Sequence, residues 1–469
     1  MGWTRWRAFT DEMAMLDRTS DLSSVLFEQR VLDDEQQRLA QYALNWRYYN
    51  GDQKRHLKVK QGQPDDNVTM NLARLVVNKG AAFLFGKPVD FELEEGTDSP
   101  PEQYLDDVWQ QNRRSTLLNK LATSGGVCGH AFVKIVPDGI RPRVARLVGL
   151  DPAYVRVAYS DDDIADVYRY RIQFVALGRD GKAVNRRQDI ERDDAGRWTI
   201  TNWIARGGGR WEPDGENWKP AWRWPWPPIV DCQNLVNPHE FYGLSDLEDL
   251  PLQDALNFTA SNVLRILRYH AHPKTWGKGI GKTDIEVSAD DVLLLRNEKG
   301  ELHNLEMQSD LGSSLEYLRE LRNAFLAGAR VPRLDPAQVN VGALSGFALK
   351  VLYGDLLEKT GVKRCTYGDL LQELNRRLCE LGGFGPERVT ALHWQDPLPE
   401  DEQSEMTRDK FERDYELASL ETVRARRGLD QEVESERIEA EAAASGNIGA
   451  LLLRQFETQR AGGAPGASR

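Results

Sequence analysis

The stretch from Gly243 to Tyr269, GLSDLEDLPLQDALNFTASNVLRILRY, constrains this chain more than any other. It reads as one long amphipathic helix whose start carries a capping box. Ser245 can hold the first turn while Glu248 reaches back to a free backbone amide. About 25 helical residues span about 37 Å, enough to leave a globular core and carry the chain elsewhere. The segment from His272 to Gln308 has the pattern of a small β unit. A second amphipathic helix follows, with Leu311, Leu315, Leu318, Phe325 and Leu326 on one stripe. Helix out, small β tip and helix back outline a stem. One narrow stem cannot bury its own apolar stripes, so neighbouring copies are expected to cover Leu315, Leu318 and Phe325. Ring-forming channel proteins need a stem; enzymes rarely do.

The 469 residues are 40% hydrophobic and 29% charged, which is enough apolar material for a sizeable core. The length suggests roughly two to four domains. No apolar run approaches the length of a membrane span. The N-terminal MGWTRWRAFTDEM lacks the apolar region of a secretory signal, so an intracellular, soluble chain is expected. Cys128, Cys232, Cys365 and Cys379 form no CxxC pair and read as reduced, mostly buried thiols. A net charge of −12 argues against a protein that grips nucleic acid with its whole surface, but not against one that lets DNA slide past.

Along the chain, Asp11–Tyr49 reads as a polar helix and Asn71–Phe85 as a more apolar one, followed by a strand at Val89–Leu93. A helix over Tyr104–Ser124 is expected to end in a Gly125-Gly126 turn before the strand His130–Val136. Strand-like alternation from Arg143 to Thr201 completes an α+β body. Seven of the 13 tryptophans lie between Trp198 and Trp226. Trp222, Trp224 and Trp226 recur at the strand period and share a side. Either they pack on the body as a hairpin face, or they form an exposed intersubunit or partner contact. Pro332 is expected to end the second stem helix, and Val331–Leu344 reads as a loop. From Ser345 to about Leu381 the chain is helical. Its glycines at 354, 361 and 368 either divide it or give another helix a close approach. Glu400–Ala444 suggests two charged helices separated near Gly428, before a flexible tail.

Catalytic signatures are weak. GKGIGKT, Gly277–Thr283, has Trp276 where a phosphate loop needs glycine, and IEVSADDVLLL after it reads as strand, turn, strand. Asp161-Asp162-Asp163 sits at a turn, where carboxylates serve solvation as readily as metal binding. His270 and His272 lack a third ligand and suit a helix C-terminus. No serine or cysteine lies in a nucleophile motif. No enzyme, cofactor or metal is expected.

Four separated segments, in order, resemble the portal proteins of tailed bacteriophages and prophages, the head–tail connectors of siphophage type. NWRYYNGDQ and NVTMNLARLVVNKGAAFLFGKPVDFEL are similar to the family's Tyr-Tyr-x-Gly element and its Asn-containing helix leading to Gly-x-Pro-Val. SGGVCGHAFVKI and LDPAYVRVAYSDDD resemble segments around its wing. NPHEFYGLSDLEDLPLQDALNFTASN resembles the Gly-x-Ser-Asp-Leu-Glu approach to its stem. LSGFALK and ASLETVRARRGLDQEVESERIEAE resemble the element after its tunnel loop and its crown. The tryptophan-rich segment departs from the pattern.

The resemblance implies an α+β portal fold. Residues 1–243 would form a mixed α/β wing carrying the tryptophan-rich segment 198–228. The stem helix would be 244–270, a small β-containing clip 271–309, and the returning stem helix 310–331. A tunnel loop at 332–344, a long helix returning to the wing at 345–399 and a helical crown with a flexible tail at 400–469 complete the chain. It further implies a homododecameric ring at one capsid vertex, in the virion after assembly in the host cytoplasm. Double-stranded DNA would pass through without sequence specificity. The terminase large subunit, a head-completion adaptor, and the major capsid and scaffold proteins would dock; no membrane is involved. Arg333, Asp335, Gln338 and Asn340 of the tunnel loop would meet DNA. Arg265 and Arg268 are stem candidates for basic rings in the channel, or for intersubunit salt bridges. A minor capsid or scaffold protein, or a packaging-motor subunit, are the competing readings.

Overall fold

The computed structural model describes residues 22–59, 61–62, 64–93, 99–138, 144–160, 162–178, 181–206, 210–271, 274–278, 285–287, 293–295, 301–305, 311–332, 346–398, 402–415, 417–426, 434–435 and 437–438. The chain forms two compact units, 1–342 with 349–397, and 343–348 with 398–469.

The first unit begins with α1 (Leu22–Asn50) and α2 (Leu72–Phe85). Asn71 caps α2, its side chain accepting from the Arg74 amide. The strand β1 (Val89–Leu93) follows with alternating burial. The single helix expected over Tyr104–Ser124 is two, α3 (Pro100–Gln111) and α4 (Arg114–Cys128). Arg113 sits between them at φ 53, and Asn112 ties the corner to Val108, Ala145 and Leu147. Gly125 and Gly126 do not turn the chain; α4 runs through them. A Cβ at Gly125 would stand 2.0 Å from the Tyr367 hydroxyl and one at Gly126 2.9 Å from the Asp246 carboxylate. These glycines buy close packing, which local propensity does not reveal.

Two antiparallel sheets follow. β2 (His130–Pro137) lies between β3 (Ala145–Leu150) and β9 (Ile229–Gln233). The second sheet is a meander of β4 (Val155–Tyr159), β5 (Val167–Leu177), β6 (Ala183–Arg192), β7 (Trp198–Arg206) and β8 (Glu212–Pro213). Val155, Tyr170, Ile172, Ile190, Trp198 and Ile200 form its buried cluster with Phe132 of β2. Trp222, Trp224 and Trp226 precede β9 in an irregular run, not a hairpin strand. They nonetheless share a side, and all three pack on the body core. Trp226 Nε1 donates to Glu380 at 2.6 Å and Trp222 Nε1 to the Trp226 carbonyl at 2.7 Å.

The long helix α5 spans Leu250–Ala271 and starts well after Gly243. The capping box does not form because Ser245 faces the body. Its Oγ lies 2.9 and 2.8 Å from the carbonyls of Gly126 and Val127 and accepts from the Leu247 amide. Pro251, with no amide hydrogen to satisfy, suits the first turn that does form. Beyond α5, β10 (Lys274–Lys278) pairs antiparallel with β13 (Glu301–Leu305), enclosing the antiparallel pair β11 (Ile285–Val287) and β12 (Leu293–Leu295). α6 (Leu311–Gly328) returns.

α6 ends without help from Pro332. The Val331 amide donates to the Leu326 carbonyl and the Arg330 amide to that of Ala327. Arg330 sits at φ 58, and Leu326 and Val331 are buried in one cluster. This is a Schellman stop with arginine in the left-handed position.

α7 (Gly346–Leu352) and α8 (Gly354–Gly382) are separate helices, so Gly354 marks a boundary. Gly361 and Gly368 neither break α8 nor admit a helix: a Cβ at Gly361 would meet nothing within 4 Å, and one at Gly368 only Leu392 at 3.6 Å. α8 carries the main core, with Tyr367, Leu370, Leu371, Leu374 and Leu378 fully buried. Its Asn375 accepts from Trp109 Nε1 at 2.7 Å. β14 (Thr390–Trp394) closes the first unit by pairing with β1.

In the second unit, α9 (Glu402–Asp414) and α10 (Leu420–Arg426) divide before Leu420. Ser419 caps α10 through the Thr422 amide. One break in this region thus lies before Leu420; Gly428, where a break was expected, lies outside the described residues along with the tail.

Candidate functional site: the stem and its root

α5 presents two faces with different chemistry. The first packs against α6. Leu252, Ala255 and Leu256 meet Leu318, Leu321, Phe325 and Leu326, and Leu72 and Val76 of α2 complete the cluster. The apolar stripe read from the sequence is therefore largely covered within the chain. Phe325 is buried inside its own subunit, Leu318 is half-buried there, and Leu315 is 42% exposed.

The second face is polar and buried. Gln253, Asn257 and Ser261 recur at helical spacing with almost no exposure. Gln253 donates to the Met70 carbonyl at 2.6 Å, and Asn257 accepts from the Met70 amide at 2.9 Å and donates to Gln53. Ser261 accepts from the Val68 amide at 2.9 Å. These bonds satisfy the backbone of an irregular strap, residues 53–71, that lies along α5. Arg265 and Arg268 extend the same face. Both pair with the buried Asp66 of the strap, at 3.4 and 2.6 Å.

Both α5 and α6 also carry exposed apolar side chains, spread around their circumference. Phe258, Leu264 and Leu267 on α5, with Leu315 and Tyr317 on α6, are each at least 40% exposed.

At the root, Asp246 is clamped by Lys363 at 2.6 Å and Lys359 at 3.0 Å, all three buried. Lys359 also donates to the Ala329 carbonyl, just past α6. A Cβ at Gly80 would stand 3.2 Å from both the Asp246 carboxylate and the Lys363 ammonium, so glycine keeps α2 close. Burial alone would raise the Asp246 carboxyl. The two ammoniums outweigh it and hold the group below its ordinary value. Burial lowers Lys363 in turn, against the pull of Asp246. One ionic knot thus joins the approach to α5, the exit of α6 and the middle of α8. Sequence reading missed it. The signals were two lysines four apart in a leucine-rich helix, and Gln, Asn and Ser at spacings of four in another.

Arg333, Asp335, Gln338 and Asn340 lie outside the described residues, as do His272 and the side chain of His270. Of GKGIGKT, Gly277 and Lys278 fall in β10 and the rest is not described; the next described element is the strand β11, where a phosphate loop needs a helix. Asp163 accepts from the Ala165 amide, as turn carboxylates do. Among the described residues no His, Cys, Asp and Glu group could hold a metal, and no helix is long and apolar enough to cross a membrane.

Residues 28–447 match the family described as "Phage portal protein, SPP1 Gp6-like". That is most of the chain, and the protein belongs to this family of phage portal proteins, a structural family. No curated protein matches it. Among solved structures it is similar to a chain described as "Neck of empty GTA particle computed with C6 symmetry", with 14% identity and a TM-score of 0.45, over 77% of this chain and 90% of that one.

Proposed function

We propose that this protein assembles as a dodecameric ring at one capsid vertex, through which double-stranded DNA is packaged and later ejected. Membership of the portal family over residues 28–447 is the observation that carries this reading. The helix-out, β-tip, helix-back course of α5 to α6 supports it, as do the exposed apolar side chains that a lone subunit leaves in water.

In this reading residues 1–243 are the wing, 244–270 and 310–331 the stem, 271–309 the clip, 332–344 the tunnel loop, 345–399 the long helix and its return to the wing, and 400–469 the crown and tail. The ring would dock the terminase large subunit during packaging and a head-completion adaptor afterwards, and would contact the major capsid and scaffold proteins. An acidic channel repels phosphates, so DNA slides without sticking; one negative charge per about 1.7 Å of duplex makes that repulsion strong. Contacts from Arg333, Asp335, Gln338 and Asn340 would be to the DNA backbone and independent of sequence.

The test is deletion of Ala337–Val341. Rings should still assemble, while DNA packaged or retained per head falls. Normal numbers of full, infectious heads from the deletion would remove the loop from DNA handling.

A further inference from the structure

The edges of the two wing-body sheets are mostly closed by other parts of the chain. Asn112 covers β3, donating to the Ala145 carbonyl at 2.9 Å and accepting from the Leu147 amide at 2.8 Å. Arg377 covers β9, donating to the carbonyls of Pro227 and Ile229 at 2.6 and 2.7 Å. β8, which carries Pro213, pairs with part of β7, and the Asn202 amide beside it donates to the Trp218 carbonyl. The far end of β5 has no such cover. β4 begins at Val155, opposite Ile172, so Gln173–Leu177 have β6 on one side and no strand on the other. The Gly178 amide donates to the Lys182 carbonyl. Hydrogen-bonded pairs alternate along an antiparallel ladder, so the backbone groups of Phe174 and Ala176 face β6 and those of Gln173, Val175 and Leu177 face outward. Among the described residues no hydrogen bond reaches those outward amides and carbonyls. Side chains on both faces of this stretch are apolar. Val175 is 65% and Leu177 80% exposed on one face, and Phe174 is exposed on the other, beside the Tyr154 ring. From Gln173 to Gly178 there is no charge and no proline, and the pairing with β6 runs without a bulge. Those are the devices that normally keep an open edge from templating another chain.

We propose that Gln173–Leu177 is a docking edge for an extended, uncharged arm of a second protein, which adds as a strand beside β5. Backbone bonds to Gln173, Val175 and Leu177 hold the arm. Its successive side chains meet Val175 and Leu177 on one face and Phe174 and Tyr154 on the other, so it must be apolar on both. The size of the edge selects an arm over a second copy of this chain. Five residues extend about 17 Å, and two folded bodies meeting only there would bury far less than the roughly 1,200 Å² of a stable complex. An arm whose own protein is held nearby by other contacts does not need that area, because tethering raises its local concentration. The proposal rests on the capsid reading for the source of such an arm, and not for the open edge itself.

The experiment is hydrogen exchange, read by mass spectrometry over residues 170–178. It is run on the purified full-length protein, on the same protein with a capped peptide of alternating valine and threonine as probe, and on assembled heads. In the purified protein the amides of Gln173, Val175 and Leu177 should exchange fast, and those of Phe174 and Ala176 slowly. With the probe, and in heads, the three fast amides should slow by about tenfold or more. Val175→Pro removes an amide that points away from β6, so stability should hold while protection by the probe is lost. Ala176→Pro removes an amide bonded to β6 and should destabilise the hairpin instead. Slow exchange at all three outward amides in dilute purified protein would overturn the open edge. Fast exchange at all three in the presence of the probe and in heads would overturn the docking site. Protection by the probe without protection in heads would overturn the arm as its occupant, and so would protection that rises with protein concentration alone, which marks a second copy. Micrographs of the purified protein report on the conduit reading separately: a protein without rings contradicts that reading, while the probe still decides whether the edge takes a strand.

Discussion

Replacing Asp246 with asparagine is expected to cost about 3–5 kcal/mol of stability, the largest loss from any single polar change in the first unit. The substitution keeps the shape but removes the one carboxylate, among the described residues, in ion-pair contact with the buried Lys359 and Lys363. Two ammoniums then face each other in a buried site beside Gly80 and Asn234. Chemical denaturation of the wild type and the variant measures the difference. The pH dependence provides a second reading. Because the folded carboxyl lies below its ordinary value, its contribution is fully present above the unfolded value of about 4 and is lost as pH falls through the folded one. The acid limb of the stability profile should therefore flatten in the asparagine variant. A loss under about 1 kcal/mol would mean that the lysines find other partners.

The second large effect concerns assembly. The double change Leu264→Asp and Leu315→Asp should leave each subunit folded but abolish rings. Both side chains are at least 40% exposed in the single chain, so their loss removes little internal packing and should alter unfolding free energy by about 1 kcal/mol or less. In a ring the same groups would lie between neighbours. Burying one leucine is worth about 1.5–3 kcal/mol, and a carboxylate placed there is unfavourable in every copy. Phe325→Asp is the informative contrast. Phe325 is 2% exposed within its own chain, so that change should unfold the stem root and lower stability by about 3–5 kcal/mol before assembly is at issue. Native mass spectrometry and denaturation on the same preparations separate the two outcomes. Intact rings from the double variant would place Leu264 and Leu315 outside any subunit contact.

Periodicity made the helix–β–helix course legible. α5, α6 and the paired strands between them follow from helical stripes, a β pattern and the turn residues that separate them. What eluded it were contacts between residues far apart in the chain. The 3.6-residue stripe at Leu318 and Phe325 shows that something covers them, but not whether the cover is a neighbour or α2 of the same chain. Ser245 and Glu248 have the right spacing for a capping box, yet the carbonyls of Gly126 and Val127 compete for the hydroxyl and win. Gly125 and Gly126 look like a turn because the turn signal and the close-packing signal use the same residue. Arg265 and Arg268 stand out as cations on a long amphipathic helix. Their partner Asp66 lies about two hundred positions earlier, in a strap without periodicity, and was invisible to any window along the chain.

We propose that these subunits close into a ring around a DNA channel. Electron microscopy of the purified full-length protein, with native mass spectrometry on the same sample, tests it most directly. Closed rings with an open central hole and a mass of twelve copies of the 53.3 kDa chain are expected. Compact monomers at every concentration tried, with no rings in the micrographs, would contradict it.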